Sequence, residues 1–167
     1  MKITFPYSLE HWNPLKGFSI LKIKIVTIGK LKEKFLIDGV NEYLKRLKPF
    51  AKIEVCEIPE CKTIEEEGQK LLSQVLRESF LIVLDVAGEM LTSENFAKKI
   101  AALNLHGVSD ITFIIGGAFG LSEEVKRAAS FRLSFSKMTF THQMARLILV
   151  EQIYRAFKII RNEPYHY

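Results

Sequence analysis

From residue 21 onward, short apolar runs alternate with longer stretches in which apolar residues recur every three or four positions. The short runs predict strands and the longer stretches predict amphipathic helices. Predicted strands cover residues 21–30, 51–58, 80–86, 111–115 and 131–135, and predicted helices cover residues 32–47, 63–78, 93–103, 122–129 and 142–161. This alternation predicts an α/β fold with a mainly parallel sheet and helices on both faces.

Residues 1–20 do not share this pattern. Pro6, Pro14 and Gly17 interrupt any helix, and the segment has no continuous apolar core of the kind found in secretion signals. We therefore expect a single domain at residues 21–167. The extension at residues 1–20 is either a genuine arm or not native, with translation then starting at position 21.

Composition adds bounds on function. The chain has 167 residues, of which 48% are hydrophobic and 26% charged, as in ordinary globular domains. Its net charge of +5 permits nucleic-acid binding without requiring it. The longest uncharged apolar run, residues 111–121, is too short and too interrupted by glycine to span a bilayer, so we expect no membrane association.

The cysteines and histidines do not predict a metal site. Cys56 and Cys61 lack the second pair of ligands that a zinc site needs, and the four histidines show no metal-ligand spacing. We interpret both cysteines as reduced thiols of a cytoplasmic protein.

Two loops predict a ligand pocket. The strand at residues 111–115 leads into residues 116–120, which hold three glycines in five positions. Residues 133–142 begin as a strand and end as a polar loop before the last helix. Open α/β sheets bind ligands at the carboxyl ends of their strands, and glycine permits close backbone approach or a positive φ. The glycine run lacks the dinucleotide and P-loop motifs, so a purely structural turn stays an alternative.

Five blocks, in this order, resemble one known family. They are KIVTIGKLK at 24–32, FIIGGAFGL at 113–121, LSFSKMTFTHQM at 133–144, EQIYRA at 151–156 and PYH at 164–166. Together they resemble the RlmH family of SPOUT-class methyltransferases, which modify N3 of a pseudouridine in 23S (large-subunit) ribosomal RNA. The chain departs from the family pattern at Thr141, where a proline is usual, and at Tyr167, where a basic residue is common.

The resemblance implies a SPOUT-type fold with a C-terminal trefoil knot and S-adenosylmethionine as cofactor. Carried over residue by residue, the cofactor-binding positions are Leu84, Gly116, Phe135, Ser136, Lys137, Met138, Thr139 and Phe140. The backbone of such loops can read the edge of an adenine, while apolar side chains cover its faces.

The matched blocks also hold candidates for methyl transfer. The catalytic candidates are His142, Arg155, Tyr165 and His166. We assign Arg155 to anion or phosphate stabilisation, and Tyr165 with His166 to positioning the target base. The alternative for Arg155 is a helix salt bridge with Glu151, four residues earlier.

The function implied is that of an S-adenosylmethionine-dependent methyltransferase that acts as a homodimer on ribosomal RNA or the ribosome. One alternative is a related knotted methyltransferase that modifies tRNA or a ribose 2′-OH. Another is a non-catalytic RNA-binding module, which has no need of the ending Pro164-Tyr165-His166.

Overall fold

A computed structural model describes residues 18–165 of the chain. Strands and helices alternate strictly through this part. They are β1 Leu21–Ile28, α1 Lys34–Leu47, β2 Ala51–Ile58, α2 Ile64–Ser73, β3 Phe80–Met90, α3 Ser93–Leu105, β4 Asp110–Ile115, α4 Glu123–Ala128, β5 Phe131–Ser134 and α5 His142–Ile160. All ten predicted elements are present, with shifted ends.

The five strands form one sheet in the order β2-β1-β4-β3-β5. Every neighbouring pair is parallel, so the prediction of a parallel α/β sheet is confirmed. In the register of the sheet, Ile25 of β1 aligns with Val55 on one side and with Phe113 on the other. The central strands are apolar on both faces because helices cover both faces.

Two separate cores lie on the two faces of the sheet. Ile23 and Ile25 of β1 point into the larger core, which α1, α3 and α5 cover. Val26 and Ile28 of the same strand point into the smaller core, under α2 and α4. The predicted helices on both faces are therefore confirmed.

The largest difference from the sequence prediction lies in β3. Residues 87–89 were predicted as a loop, but β3 continues to Met90, with a shift of register against β5 between Leu84 and Glu89. At Gly88 the backbone passes so close to the carbonyl of Arg132 that a Cβ would overlap it. The glycine thus permits a strand irregularity and not a loop.

Part of the N-terminal extension contacts the domain. The Phe18 ring meets Phe157 edge to face at a centroid distance of 6.4 Å. The N–H of Ser19 donates to Oδ1 of the buried Asn104 at 2.9 Å, and Nδ2 of Asn104 donates to the Ser19 carbonyl at 3.0 Å. Residues 1–17, His166 and Tyr167 lie outside the described part.

Candidate functional site

A cavity of about 690 Å³ opens beside the middle of β3, where β4 and β5 end and α5 begins. We call it the strand-end cavity. Most of the predicted ligand-binding positions line it, namely Leu84, Gly116, Phe135, Ser136, Met138, Thr139 and Phe140. His142 lines it too, whereas Lys137 is exposed in the same loop and is not part of the lining. The two predicted ligand loops therefore share one pocket.

The glycine loop owes its shape to contacts within itself. Gly117 and Gly120 form an isolated bridge, in which the N–H of Gly120 donates to the Gly117 carbonyl at 3.1 Å. Gly120 has a φ of +80°, and a Cβ on Gly116 would overlap the backbone of Gly120. A side chain at Gly116 would therefore displace the loop itself, besides taking up space that a ligand could use.

Hydrogen bonds also shape the second loop. The Ser134 hydroxyl donates to the carbonyl of Ser136 at 2.9 Å, and the Ser136 hydroxyl accepts from the N–H of Met138 at 3.0 Å. Thr141 caps α5, because its hydroxyl oxygen accepts from the N–H of Met144 at 3.2 Å. Threonine in place of the usual proline thus still begins the helix.

One carboxylate of the cavity wall did not stand out in the sequence. Asp85 follows Leu84 in β3 and pairs with Arg132 at 2.6 Å. Burial alone would raise the pKa of Asp85, but hydrogen bonds from the Ala87 N–H and the Arg132 guanidinium outweigh it and lower this pKa. Asp85 is therefore an anion at neutral pH. Its signal was a charged residue near the end of a buried strand.

His142 turns one edge of its ring away from solvent. A methyl group built on Gly29 would lie 3.0 Å from Nε2 and 3.6 Å from Cδ2 of His142, so this ring edge faces Gly29. Burial and the nearby Arg146 lower the pKa of His142, against the opposing effect of Glu60 and Glu67. The imidazole is therefore neutral at pH 7 and able to accept a proton.

The other two described catalytic candidates are Arg155 and Tyr165. They lie together with Tyr43, Glu151 and Tyr154 in what we call the tail cluster. Glu151 accepts from Arg155 at 2.7 Å and from the Tyr165 hydroxyl at 3.0 Å. The Arg155 guanidinium also lies over the Tyr165 ring, 4.1 Å from its centroid. The salt bridge with Glu151, which the sequence analysis gave as the alternative for Arg155, is present, and the assigned role of Arg155 in anion stabilisation stays a prediction.

The Tyr165 hydroxyl is held in its protonated form. It lies 3.3 Å from the hydroxyl of Tyr43, in addition to its bond to Glu151. Burial and these two hydrogen bonds raise the pKa of Tyr165. The end of the chain up to this residue is therefore docked on α1 and α5, and Tyr165 serves as a hydrogen-bond donor.

The strand-end cavity and the tail cluster lie at different places along α5. His142 is its first residue, and Arg155 follows thirteen positions later, which is about 20 Å along the helix axis. Neither Arg155 nor Tyr165 lines the cavity. A single described chain therefore does not bring the catalytic candidates together.

Three further observations bear on metal, membrane and thiols. Within residues 18–165, no cluster of His, Cys, Asp or Glu side chains is arranged to hold a metal ion. No helix of this range has the length and apolarity needed to cross a bilayer. Cys56 and Cys61 are both free thiols.

An open parallel sheet with a cavity at its carboxyl edge is the architecture of α/β proteins that bind nucleotide-like ligands. Comparison with known proteins identifies the class. The sequence model of the family described as "Predicted SPOUT methyltransferase" matches residues 21–166. A solved structure, a probable methylase family protein from Haemophilus influenzae Rd KW20, shares the fold with a TM-score of 0.53 at 14% identity, covering 87% of this chain and 70% of that chain.

Similar sequences narrow the assignment. Proteins named "Ribosomal RNA large subunit methyltransferase H" are 51% identical in Carboxydothermus hydrogenoformans, covering 87% of this chain and 99% of the relative. In Pelotomaculum thermopropionicum the identity is 53%, covering 87% and 98%. The chain therefore belongs to the SPOUT methyltransferases and, within them, to the family of these relatives. It is an enzyme that uses S-adenosylmethionine, as the resemblance implied.

The strand-end cavity fits this cofactor. Its volume of about 690 Å³ lies within the range of small-molecule sites. Leu84, Phe135 and Phe140 offer apolar contact, and the glycine loop offers backbone groups close to the cavity. When bound, S-adenosylmethionine supplies a methyl group on a positively charged sulfur. The trefoil knot, which the family implies, stays a prediction.

Proposed function

We propose that this protein methylates N3 of a pseudouridine in 23S ribosomal RNA, as a homodimer in the cytoplasm. The main support is that relatives named "Ribosomal RNA large subunit methyltransferase H" align over 99% of their own length at 51% identity.

The separation within α5 supports a site made from two copies. About 20 Å of helix lies between His142 at the strand-end cavity and Arg155 in the tail cluster. One acceptor base cannot touch both in the same chain. The cavity wall also carries Phe119 and Met138, which are 72% and 74% exposed. Large apolar groups this exposed are suited to a protein interface.

In this proposal the chain's residues have separate tasks. The walls of the strand-end cavity bind and orient the methyl donor, and exclude water from it. The tail cluster of the partner copy positions the acceptor base through Tyr165 and stabilises its negative charge through Arg155. Positioning of this kind can contribute several kcal/mol to the transition state. The acceptor N–H must lose a proton, and His142 is the neutral imidazole at the cavity.

Mass spectrometry of ribosomal RNA nucleosides from a strain lacking the gene tests the reaction. We expect a methylated pseudouridine to disappear and to return when the intact gene is restored. Loss of a ribose-methylated nucleoside, or of a modified tRNA nucleoside, would instead favour the related knotted methyltransferases.

Mixing two inactive variants tests the shared site. Gly117→Val distorts the cavity, because its side chain would meet Ile28 and Glu67. Deletion of residues 164–167 removes the tail. If the tail of one copy serves the cavity of the other, a heterodimer of these variants has one intact site and regains activity. A mixture that exchanges subunits yet stays inactive would show that each tail serves its own cavity.

A further inference from the structure

A buried polar layer lies beneath the glycine loop. Three buried side-chain atoms in the described part of the chain have no hydrogen-bond partner: Oε2 of Glu67, Nε2 of His142 and Nε of Arg146. Buried polar groups are almost always paired, so each exception asks for an explanation. The charges of Arg146 and Glu67 both act on the pKa of His142, so the three residues lie near one another.

Glu67 reaches the glycine loop from α2. It lies on α2, is 3% exposed, and its Oε1 accepts from the N–H of Cys61 at 3.2 Å. A methyl group built on Gly117 would lie 3.0 Å from Oε2 of Glu67. The unpaired carboxylate oxygen is therefore packed against the loop that lines the cavity.

His142 reaches the same place from α5. Its Nε2 faces Gly29, which directly follows Ile28, and the side chain of Ile28 would be 2.9 Å from a methyl group on Gly117. Arg146 holds this backbone, because its guanidinium donates to the Gly29 carbonyl at 2.9 Å. The two unpaired atoms of His142 and Glu67 thus flank one short piece of chain at the end of β1.

We propose that one internal water joins these atoms and that Glu67 is a positioning residue for His142. The water accepts from Nε2–H of His142 and donates to Oε2 of Glu67. A buried site with two or more polar partners is what an internal water needs. This arrangement fixes the imidazole with its proton on Nε2, leaving Nδ1, on the opposite side of the ring from Cδ2, as a proton acceptor toward the cavity.

The consequence for the reaction rests on the proposed function. The electron pair of the acceptor N–H bond stays on nitrogen, which forms the new bond to the methyl carbon. The bond from that carbon to sulfur breaks, and its electron pair stays on sulfur. The proton moves to Nδ1 of His142, and the imidazolium so formed is stabilised by the carboxylate of Glu67.

The charged groups around His142 give the sign of the pH effect. Arg146 and Lys32 lower its pKa, while Glu60 and Glu67 raise it. Removing the charge of Glu67 therefore lowers this pKa further. In Glu67→Gln the acid side of the pH–rate profile should move to lower pH, while the maximal rate falls because the imidazole is no longer held in one tautomer.

Nitrogen NMR of the imidazole in the free protein tests the water-linked pair without any reaction. We expect the Nε2–H form in the wild type, and in Glu67→Gln a mixture of tautomers with a lower pKa of His142. The control is Glu65→Gln, which removes an exposed carboxylate from the same helix. It should change neither quantity.

Activity supplies the second readout. Glu67→Gln should lower kcat by about tenfold to a hundredfold, with the Kd for S-adenosylmethionine within about threefold of wild type. A wild-type His142 protonated on Nδ1, or an unchanged spectrum in Glu67→Gln, would overturn the proposal whatever the activity. If the NMR result is as expected but no ribosomal RNA is methylated, the proposed function fails and the pairing of His142 with Glu67 stands.

Discussion

The strand-end cavity and the tail cluster are attached to the same helix but are built from different materials. The cavity consists of strand ends, a glycine loop and apolar side chains. The tail cluster consists of long side chains bonded to one another, with Glu151 accepting from both Arg155 and Tyr165. Backbone groups therefore form much of the cavity wall, whereas side chains alone form the tail cluster.

This difference teaches what each site tolerates. In the cavity, the glycine loop must keep its shape, because its backbone forms part of the wall. In the tail cluster, Glu151 is the shared hydrogen-bond acceptor of Arg155 and Tyr165, so its replacement leaves unpaired groups. The two sites should therefore respond to mutation in separable ways, in donor binding for one and in methyl transfer for the other.

Deletion of residues 164–167 should have the largest effect. Methylation of ribosomal RNA should fall by about a thousandfold, equivalent to about 4 kcal/mol, because the acceptor loses its positioning groups. The affinity for S-adenosylmethionine should stay within about threefold, or ~0.7 kcal/mol. Calorimetry and a ribosome methylation assay measure the two quantities. Joint loss of donor binding and activity would place the tail in the donor site.

Arg146→Met should have the second-largest effect, a loss of about 3 kcal/mol in the free energy of unfolding. The fully buried Arg146 pairs with Glu57 at 2.5 Å, between α5 and β2. We take the low end of the usual range because Glu57 is partly exposed and water can reach it. Urea denaturation measures the change. The matched control is Lys34→Met, which breaks the exposed pair with Asp38 and should cost less than about 1 kcal/mol.

Removing residues 18–20 should have a smaller effect, which is a loss of stability near the end of α5 that carries the tail cluster. A chain beginning at residue 21 should be less stable by about 1–3 kcal/mol than one beginning at residue 18. The shorter chain loses the Phe18 contact and leaves the amide of the buried Asn104 without Ser19. Thermal unfolding of both chains decides the matter. Equal stability would contradict this and would favour the alternative in which residues 1–20 are not native.

The smallest expected effect comes from two Gly→Ala changes, which separate backbone strain from donor binding. Gly120 and Gly107 have φ values of +80° and +86°, and a Cβ on either would meet nothing within 4 Å. Each Gly→Ala change should cost about 1 kcal/mol of stability through backbone strain alone. Only Gly120 lines the cavity, so Gly120→Ala should also weaken donor binding. Equal donor affinity in the two variants would mean that the loop shape is unimportant for binding.

The sequence predicted what depends on local pattern. Strand and helix periods gave all ten elements, and strand ends followed by loops gave the location of the cavity. The bond between Arg155 and Glu151 also follows from local pattern, as the alternative for Arg155, because a spacing of four residues brings them together on a helix.

What the sequence did not predict depends on contacts between distant segments. The predicted strand ends at residue 86, before Gly88, because nothing local shows the carbonyl of Arg132 packed against this glycine. Glu67 resembled its exposed neighbours Glu65 and Glu66, and only the packing of α2 under the glycine loop buries it. The docking of Tyr165 against Tyr43, which is 122 residues away, is of the same kind.

The position of α5 has a consequence for synthesis on the ribosome. This helix packs against both α1 and α3 on one face of the sheet, yet it follows every other element of the described part in chain order. Until α5 has left the exit tunnel, the apolar surfaces of α1, α3 and β4 that it covers stay exposed. A nascent chain therefore stays exposed to aggregation until α5 emerges, and stop codons before residue 160 should give insoluble products and not partly active ones.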